Sequence, residues 1–380
     1  MNAIACIDDL RRVARSRLPR VLYDYVHGGS WTESACRANV EDFRDVLLLQ
    51  RVGRDVSSRS TRTRMLGQNA SMPVALAPAG LTGLLYPDGE IAAARAARGM
   101  GVPFTLSTMS ICSIEDIARH VGGDFWFQLY VMRDRAFVRR LVDRARDAGC
   151  PVLVLTLDLQ AQGIRYRDLH NRLSVPLRIT PSTLWDMATR PRWAMRLLRA
   201  RRRRFGNLLD AHEGDTSMRG LAAWTQAQFD PTLSWEDVAW IRDLWPGKLV
   251  LKGITDPADA RQAAHLGADG VIVSNHGGRQ LDAVPSSIRM LEHVVGEVGS
   301  QLEVHLDGGV RDGQDVVRAL GLGAKGVFVG RPYLYGLAAT GEDGVRQCLE
   351  LLRRDMDLVM AFCGVCDVTE IDRRVIFGTR

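Results

Sequence analysis

The run Ser274-Asn275-His276-Gly277-Gly278-Arg279-Gln280-Leu281-Asp282 places a histidine and an arginine three residues apart with two glycines between them, directly after the apolar stretch 270–273. Imidazole changes charge near neutral pH, and glycine lets backbone approach a ligand closely. A guanidinium beside such a base suits chemistry on a small anion. It grips a carboxylate bidentately, and the carboxylate then fixes which hydrogen faces the base. Taken alone, the same residues equally describe a satisfied core histidine followed by a glycine turn. The elements around the run have to decide.

Those elements are regular. Short apolar runs recur at 72–78, 103–108, 125–130, 152–158, 249–253, 270–275, 304–309 and 326–330. Each is followed by helical spacing, as at 133–148, 235–244, 257–266 and 314–322, and several of these stretches open on Asp or Ser at the capping position. Eight alternations of strand and helix predict an α/β TIM barrel, (β/α)8, rather than a doubly wound open sheet. The echo of Leu266-Gly267-Ala268-Asp269-Gly270-Val271 in Leu322-Gly323-Ala324-Lys325-Gly326-Val327 supports internal repetition. Residues 1–71 read as an N-terminal helical extension with helices over 7–17 and 21–27, residues 72–364 as the barrel, and 365–380 as a C-terminal tail. The interval 159–248 after the fourth strand is too long for one connection, so it holds an insertion, about 173–232.

With 380 residues, 46% hydrophobic and 25% charged, the chain is long enough for one large barrel with insertions. No apolar run reaches the roughly 20 residues of a membrane span, and 1–22 lacks a secretory signal, which points to a cytoplasmic protein. Seven scattered cysteines argue against a disulfide framework, and Cys363-x-x-Cys366 has no second pair to complete a zinc site, so no metal is expected. The net charge of +6 is concentrated: between 190 and 204 lie eight arginines and no acid, interleaved with Trp193, Met195, Leu197 and Leu198, with Phe205 next and Leu184 and Trp185 upstream. Such a mixture reads as a segment, 184–205, lying on an anionic membrane surface, or as a solvated insertion. No nucleic-acid module accompanies it.

Catalytic residues of such barrels gather at the C-terminal ends of the strands. Tyr130, Asp158, Lys252 and His276 end the third to sixth strands, so their side chains could converge on one mouth. Strands seven and eight end in Asp307-Gly308-Gly309-Val310-Arg311 and Gly330-Arg331, the place where this fold usually holds a phosphate. The first strand ends in Ala77-Pro78-Ala79-Gly80, small enough for backbone to lie against a flat ring, while Gln128 and Thr156 could bond ring heteroatoms. A phosphorylated cofactor with a flat hydrogen-bonding ring is implied, and flavin mononucleotide (FMN) fits; no dinucleotide fingerprint follows a strand.

At this point the chain resembles the FMN-dependent 2-hydroxy acid oxidases and dehydrogenases, among them glycolate oxidase, bacterial L-lactate dehydrogenase and mandelate dehydrogenase. The resemblance runs from about Asp8 to about Gly364, and 274–282 matches the active-site signature of that family. It implies that His276 is the base, that Asp158 stabilises it when protonated, and that Arg279, Arg165 and the Tyr25 hydroxyl bind the substrate carboxylate. Tyr130 would bond the substrate hydroxyl and Lys252 would face the ring where negative charge builds. Ala77, Pro78, Ala79 and Gly80 would face the flavin, with Ser107, Gln128, Thr156 and Ser274 bonding it. Asp307, Gly309, Arg311, Gly330 and Arg331 would hold ribityl and phosphate.

The implied reaction is oxidation of an L-2-hydroxy acid to the 2-oxo acid. Resemblance of 127–134 and 229–257 favours L-lactate, with (S)-mandelate second on Trp245, Pro246 and the Asp168 to Arg172 run. Gly80, where oxidases of the family often have alanine, favours a quinone or other respiratory-chain carrier over oxygen as acceptor. It agrees with a protein peripheral to the cytoplasmic face of the inner membrane. Family members also imply a homo-oligomer, a tetramer. Two rival classes fit parts of the same sequence: a Schiff-base aldolase using Lys252, and a catalytically silent membrane-associated barrel.

Overall fold

The structure, a computed structural model, describes residues 3–171, 181–209, 211, 215 and 217–378. Parts of the expected insertion and of the tail (172–180, 210, 212–214, 216, 379 and 380) lie outside the described residues. Among the described residues ten strands form two sheets. A short antiparallel hairpin pairs β1 (Thr63–Met65) with β2 (Gln68–Ala70). Eight parallel strands follow: β3 (Val74–Leu76), β4 (Thr105–Ser107), β5 (Trp126–Leu129), β6 (Val152–Thr156), β7 (Lys248–Ile254), β8 (Gly270–Val273), β9 (Glu303–Asp307) and β10 (Gly326–Val329). Each pairs with its sequence neighbour from β4 through to β10, β10 returns to β3, and one bridge, Leu76 to Phe104, closes the ring between β3 and β4. This is the TIM barrel that the alternation predicts.

The apolar runs are continuous because both faces of the barrel strands β3 to β10 are buried along most of their length. Leu153, Leu155, Leu249, Leu251, Val271 and Val273 face outward against the helices. Ala75, Trp126, Val152, Val154, Val250, Ile272 and Phe328 fill the interior. Burying each of the larger side chains stabilises by roughly 1.5–3 kcal/mol, so the two-sided core dominates the energetics. Helices start where the sequence supplies an acceptor: Asp134 caps Arg135–Asp147, Ser234 caps Trp235–Leu244, Asp256 caps Pro257–His265 and Asp312 caps Gly313–Gly321.

The N-terminal extension carries three helices, Ile7–Arg17, Arg20–His27 and Ser34–Glu41, and then departs from the helical reading. The hairpin that helical periodicity missed turns through Leu66 and Gly67, both at positive φ (50° and 80°), the geometry that matches strand twist. Its Met65, Leu66 and Ala70 join the barrel interior, Leu66 N–H donates to Glu303 Oε2 at 2.8 Å, and Gln68 Oε1 accepts from Trp126 Nε1 at 2.7 Å. The hairpin therefore stops the N-terminal end of the barrel. The C-terminal residues run back along the extension through the bridges Leu48 to Ile376 and Ser60 to Asp367.

The insertion after β6 contributes helices Tyr166–His170, Pro181–Ala188, Pro191–Arg199 and Met218–Gln228. It corrects the reading of 184–205 as one membrane-facing stretch. Trp193 is buried and its indole N–H donates to Leu84 O at 2.9 Å; Phe205 is buried too. Arg202 pairs with Asp88 at 2.9 Å and Asp116 at 2.8 Å, and Arg196 lies over the Tyr86 ring. Trp185, Met195 and Leu198 remain exposed, beside exposed Arg192, Arg199 and Arg201. Among the described residues no helix is long and apolar enough to cross a membrane.

Candidate active site

Side chains alternate along a strand, so the position two residues beyond each interior residue points inward again, one layer closer to the C-terminal mouth. Counting on from Ala75, Thr105, Trp126, Val154, Val250, Ile272, His305 and Phe328, that layer is Ala77, Ser107, Gln128, Thr156, Lys252, Ser274, Asp307 and Gly330. Apolar core gives way there to polar groups. Lys252 Nζ donates to Ser274 Oγ at 2.9 Å and pairs with Asp307 Oδ2 at 2.7 Å, and Ser107 Oγ donates to Gln128 Oε1 at 3.0 Å. Burial works to discharge Lys252, but the charges of Asp307 and Asp158 outweigh it and hold its pKa above the ordinary lysine value. Its amine, bonded to Ser274 and paired with Asp307, gives the Schiff-base reading no support.

Above this layer the loop 274–282 turns through His276, Gly277 and Gly278, all at positive φ (57°, 65° and 71°). Left-handed backbone at a non-glycine costs on the order of 1–3 kcal/mol and persists only where surroundings enforce it. Here they do. Asn275 and Asn39 exchange side-chain amide bonds at 2.7 and 2.9 Å, Gly277 O accepts from Arg331 Nη1 at 2.8 Å, and Gly278 O accepts from Ser30 N–H at 2.9 Å. Asp282 accepts from Thr32 N–H (2.9 Å), Ser34 Oγ (2.8 Å) and Ala35 N–H (2.9 Å). Burial pushes its carboxyl up, yet these donors outweigh that and keep it well below the usual carboxylate range. A Cβ on Gly278 would stand 2.5 Å from Cys36 N, so the N-terminal extension closes directly on the loop.

The strained turn aims His276 Nδ1 at Asp158 Oδ1, 2.8 Å away. Asp158 reaches that place because β7 bulges at Gly253 (φ 100°), where a Cβ would lie 2.7 Å from that of Asp158. Burial raises the Asp158 carboxyl, but the His276 and Lys252 charges pull further the other way, leaving it below its ordinary value and ionised. Beside the pair, Arg279 and Arg165 flank the Tyr25 ring at 4.9 and 5.8 Å from its centroid. Arg279 Nη1 donates to the carbonyls of Tyr25 (2.6 Å) and Gly28 (3.0 Å). Burial, reinforced by the Arg165 charge, lowers its pKa to about 10. Arg165 pairs with Asp168 at 3.3 Å, while among the described ion pairs no carboxylate answers Arg279. Two guanidiniums sharing one carboxylate make an anion site. Tyr130 completes the rim, edge-on to Phe229, and burial raises its hydroxyl pKa so that it stays a donor.

The cofactor expectation can be tested on this geometry. Gln128 Nε2 and Thr156 Oγ1 are buried without a hydrogen-bond partner, a donor and a hydroxyl available to ring heteroatoms. Arg311 is buried deeply enough to lower its pKa, bonds only the Val310 carbonyl at 2.9 Å through its guanidinium among the described bonds, and has no carboxylate partner there. A phosphate would balance it. Arg331 behaves differently: its guanidinium is spent on the carbonyls of Val26 (3.1 Å), Gly28 (2.7 Å) and Gly277. What Arg331 and Gly330 can offer a phosphate is backbone amide at the start of helix Arg331–Thr340. Gly309 is required at its place, since a Cβ would lie 1.8 Å from Asn39 O. Ala77 O accepts from the Tyr333 hydroxyl at 3.1 Å, and Gly80 sits against Met109, 3.0 Å from a would-be Cβ. Pro78 and Ala79 lie between them, and this set fits an FMN ring, its polar edge and its phosphate.

Residues that spacing could not reveal are the holders: Asn39, Ser30, Thr32, Ser34 and Gly253. Their partners lie more than 200 positions away, Gly253 excepted, and Gly253 looks like any strand-end glycine. Of the residues that suggested mandelate, Trp245 and Pro246 lie at the opposite end, Trp245 being buried and donating to Lys248 O at the start of β7, whereas Asp168 of the 168–172 run lies at the site, paired with Arg165.

Comparison with known proteins bears on the family and the cofactor. The profile of a family described as FMN-dependent dehydrogenase matches residues 14–377. An L-lactate dehydrogenase of Caulobacter sp. (strain K31) is 47% identical over 377 residues, 99% of each chain. A crystal structure of the monotopic membrane protein (S)-mandelate dehydrogenase superposes with a TM-score of 0.95 at 40% identity over the whole of both chains. A soluble mutant of the membrane-associated (S)-mandelate dehydrogenase from Pseudomonas putida gives 0.85 at 39%, covering 99% of this chain and 100% of that one.

Proposed function

The chain belongs to the FMN-dependent dehydrogenase family, and on that premise we propose that it oxidises L-lactate to pyruvate and passes the electrons to a membrane quinone. The observation that carries the chemistry is the 2.8 Å contact of His276 with an ionised Asp158 beside the Arg279 and Arg165 pair. FMN, when bound, would accept the two electrons and one of the two protons given up by the substrate's C–H and O–H bonds. The protein does the rest. Arg279 and Arg165 hold the substrate carboxylate and Tyr25 adds its hydroxyl. Tyr130 donates to the substrate hydroxyl. His276 takes the other proton, and Asp158 stabilises the imidazolium that results. Lys252 keeps a positive charge under the ring edge, where negative charge develops.

Identity to the Caulobacter relative supports lactate as the substrate, and the displacement of Trp245 from the mouth removes one argument for mandelate. Support for a membrane acceptor is the exposed cluster of Trp185, Met195 and Leu198 among Arg192, Arg199 and Arg201, suited to an anionic lipid surface. The test is anaerobic titration of the FMN-loaded protein with L-lactate and with (S)-mandelate while the flavin absorbance is followed. Bleaching at lower concentration with L-lactate is expected; bleaching by mandelate alone overturns the substrate, and bleaching by neither overturns the reaction.

A further inference from the structure

The proton-transfer pair sits on two loops that share no ladder. Asp158 and Arg165 follow β6, His276 and Arg279 follow β8, and β7 lies between. The first loop is anchored at its start by Leu157 N–H on Lys252 O (3.0 Å) and at its far end by Ile164 O, which accepts from Trp31 N–H (2.7 Å). Besides the His276–Asp158 contact itself, the described bonds that hold the stretch between those anchors to the second loop come from one side chain. Gln280 Nε2 donates to Asp158 O at 2.6 Å and to Ala161 O at 2.7 Å, and Gln280 Oε1 accepts from Gly163 N–H at 3.3 Å. The backbones touch at the same place: a Cβ on Gly163 would lie 2.6 Å from Arg279 O and 2.7 Å from Gln280 O.

We propose that Gln280 is a positioning residue for proton transfer, splicing the loop of Asp158 and Arg165 to the loop of His276 and Arg279. An amide suits the task, since it offers two donors to two carbonyls and an acceptor to one N–H. A displacement of about 1 Å in reacting groups can cost on the order of 100-fold in rate, so three bonds that fix the spacing of base and carboxylate matter far beyond their stability. The inference rests on the reading of His276 as the base.

The test uses FMN-loaded Gln280→Leu and Gln280→Glu, with His276→Ala in parallel. Gln280→Leu leaves an apolar side chain one atom shorter and loses all three bonds: kcat should fall roughly 10- to 100-fold, with KM for L-lactate within about threefold and flavin content and Tm nearly unchanged. Gln280→Glu turns a carboxylate on the carbonyls of Asp158 and Ala161, and only its protonated form donates. Its kcat relative to the unsubstituted enzyme should therefore rise as pH falls from about 8 to about 6. A fully active Gln280→Leu, or a Gln280→Glu ratio flat with pH, overturns the proposal. Should Gln280→Leu fail to fold, the Gln280→Glu ratio decides. An active His276→Ala would overturn the base itself; an inactive His276→Ala with normal Gln280 variants overturns only the splice.

Discussion

Two surfaces of this protein are built on opposite terms. In the loop 274–282, Ser274, Asn275, Gln280 and Asp282 each bond a side chain or backbone group from another strand or from the N-terminal extension. In helix Pro191–Arg199 one face packs Trp193 and Leu197 against the barrel while the other leaves Met195 and Leu198 in solvent. The loop gains its chemistry from convergence, each group fixed by partners distant in sequence. The helix presents an average, charge and apolar area over a surface, with no single geometry to protect. Substitutions in the loop should therefore act on turnover steeply, and substitutions on the exposed face shallowly and additively.

The largest separation expected between the two is at His276. His276→Ala should lower kcat roughly 10³- to 10⁴-fold while FMN stays bound, read by steady-state kinetics and flavin absorbance. Arg279→Lys should cost less, about 100-fold in kcat/KM and mostly in KM, because a point charge replaces a planar fork; equal KM values would break the assignment of a carboxylate grip. Asp282→Asn should leave the site's chemistry in place but lower Tm by several degrees at pH 7. The sign follows from its depressed pKa: the stabilisation is complete above the unfolded value of about 4 and is lost as pH falls toward the folded one. The Tm gap between the two proteins should therefore close below about pH 4. Smallest in catalytic effect is the exposed face, where Trp185→Glu with Leu198→Glu should weaken sedimentation with anionic vesicles about tenfold and leave turnover with a soluble dye unchanged. Trp193→Ala, on the buried face of the same helix, should instead lower Tm with little effect on vesicle binding.

How far each surface could be read in the sequence follows from the same contrast. The eight strands stand out because burial on both faces makes them continuous apolar runs, and the polar residues His276, Asp158, Lys252 and Tyr130 at their ends are conspicuous against that background. The layer from Ala77 to Gly330 is a counting rule once the strands are known. The arginine-rich stretch is legible only as composition. Nothing in its spacing tells that Arg202 turns to Asp88 and Asp116 or that Trp193 finds the Leu84 carbonyl, because those acceptors are fixed by tertiary packing. The hairpin 63–70 escaped for a related reason. Its strands are three residues each, too short for a period of two to show, and its turn is set by Leu66 and Gly67 rather than by a conspicuous Asn-Gly.

The ring of strands is not equally strong all round. Neighbouring staves share three to five paired positions, but between β3 and β4 the described pairing is one bridge, Leu76 with Phe104, with Leu76 N–H on Pro103 O at 2.9 Å. That join runs up to the Pro78 to Gly80 strip and to Ser107, so the least fastened seam of the cylinder opens beside the surface on which the isoalloxazine would rest. A coenzyme seated there would brace that side of the cylinder, so retention of the coenzyme and integrity of the wall would be linked.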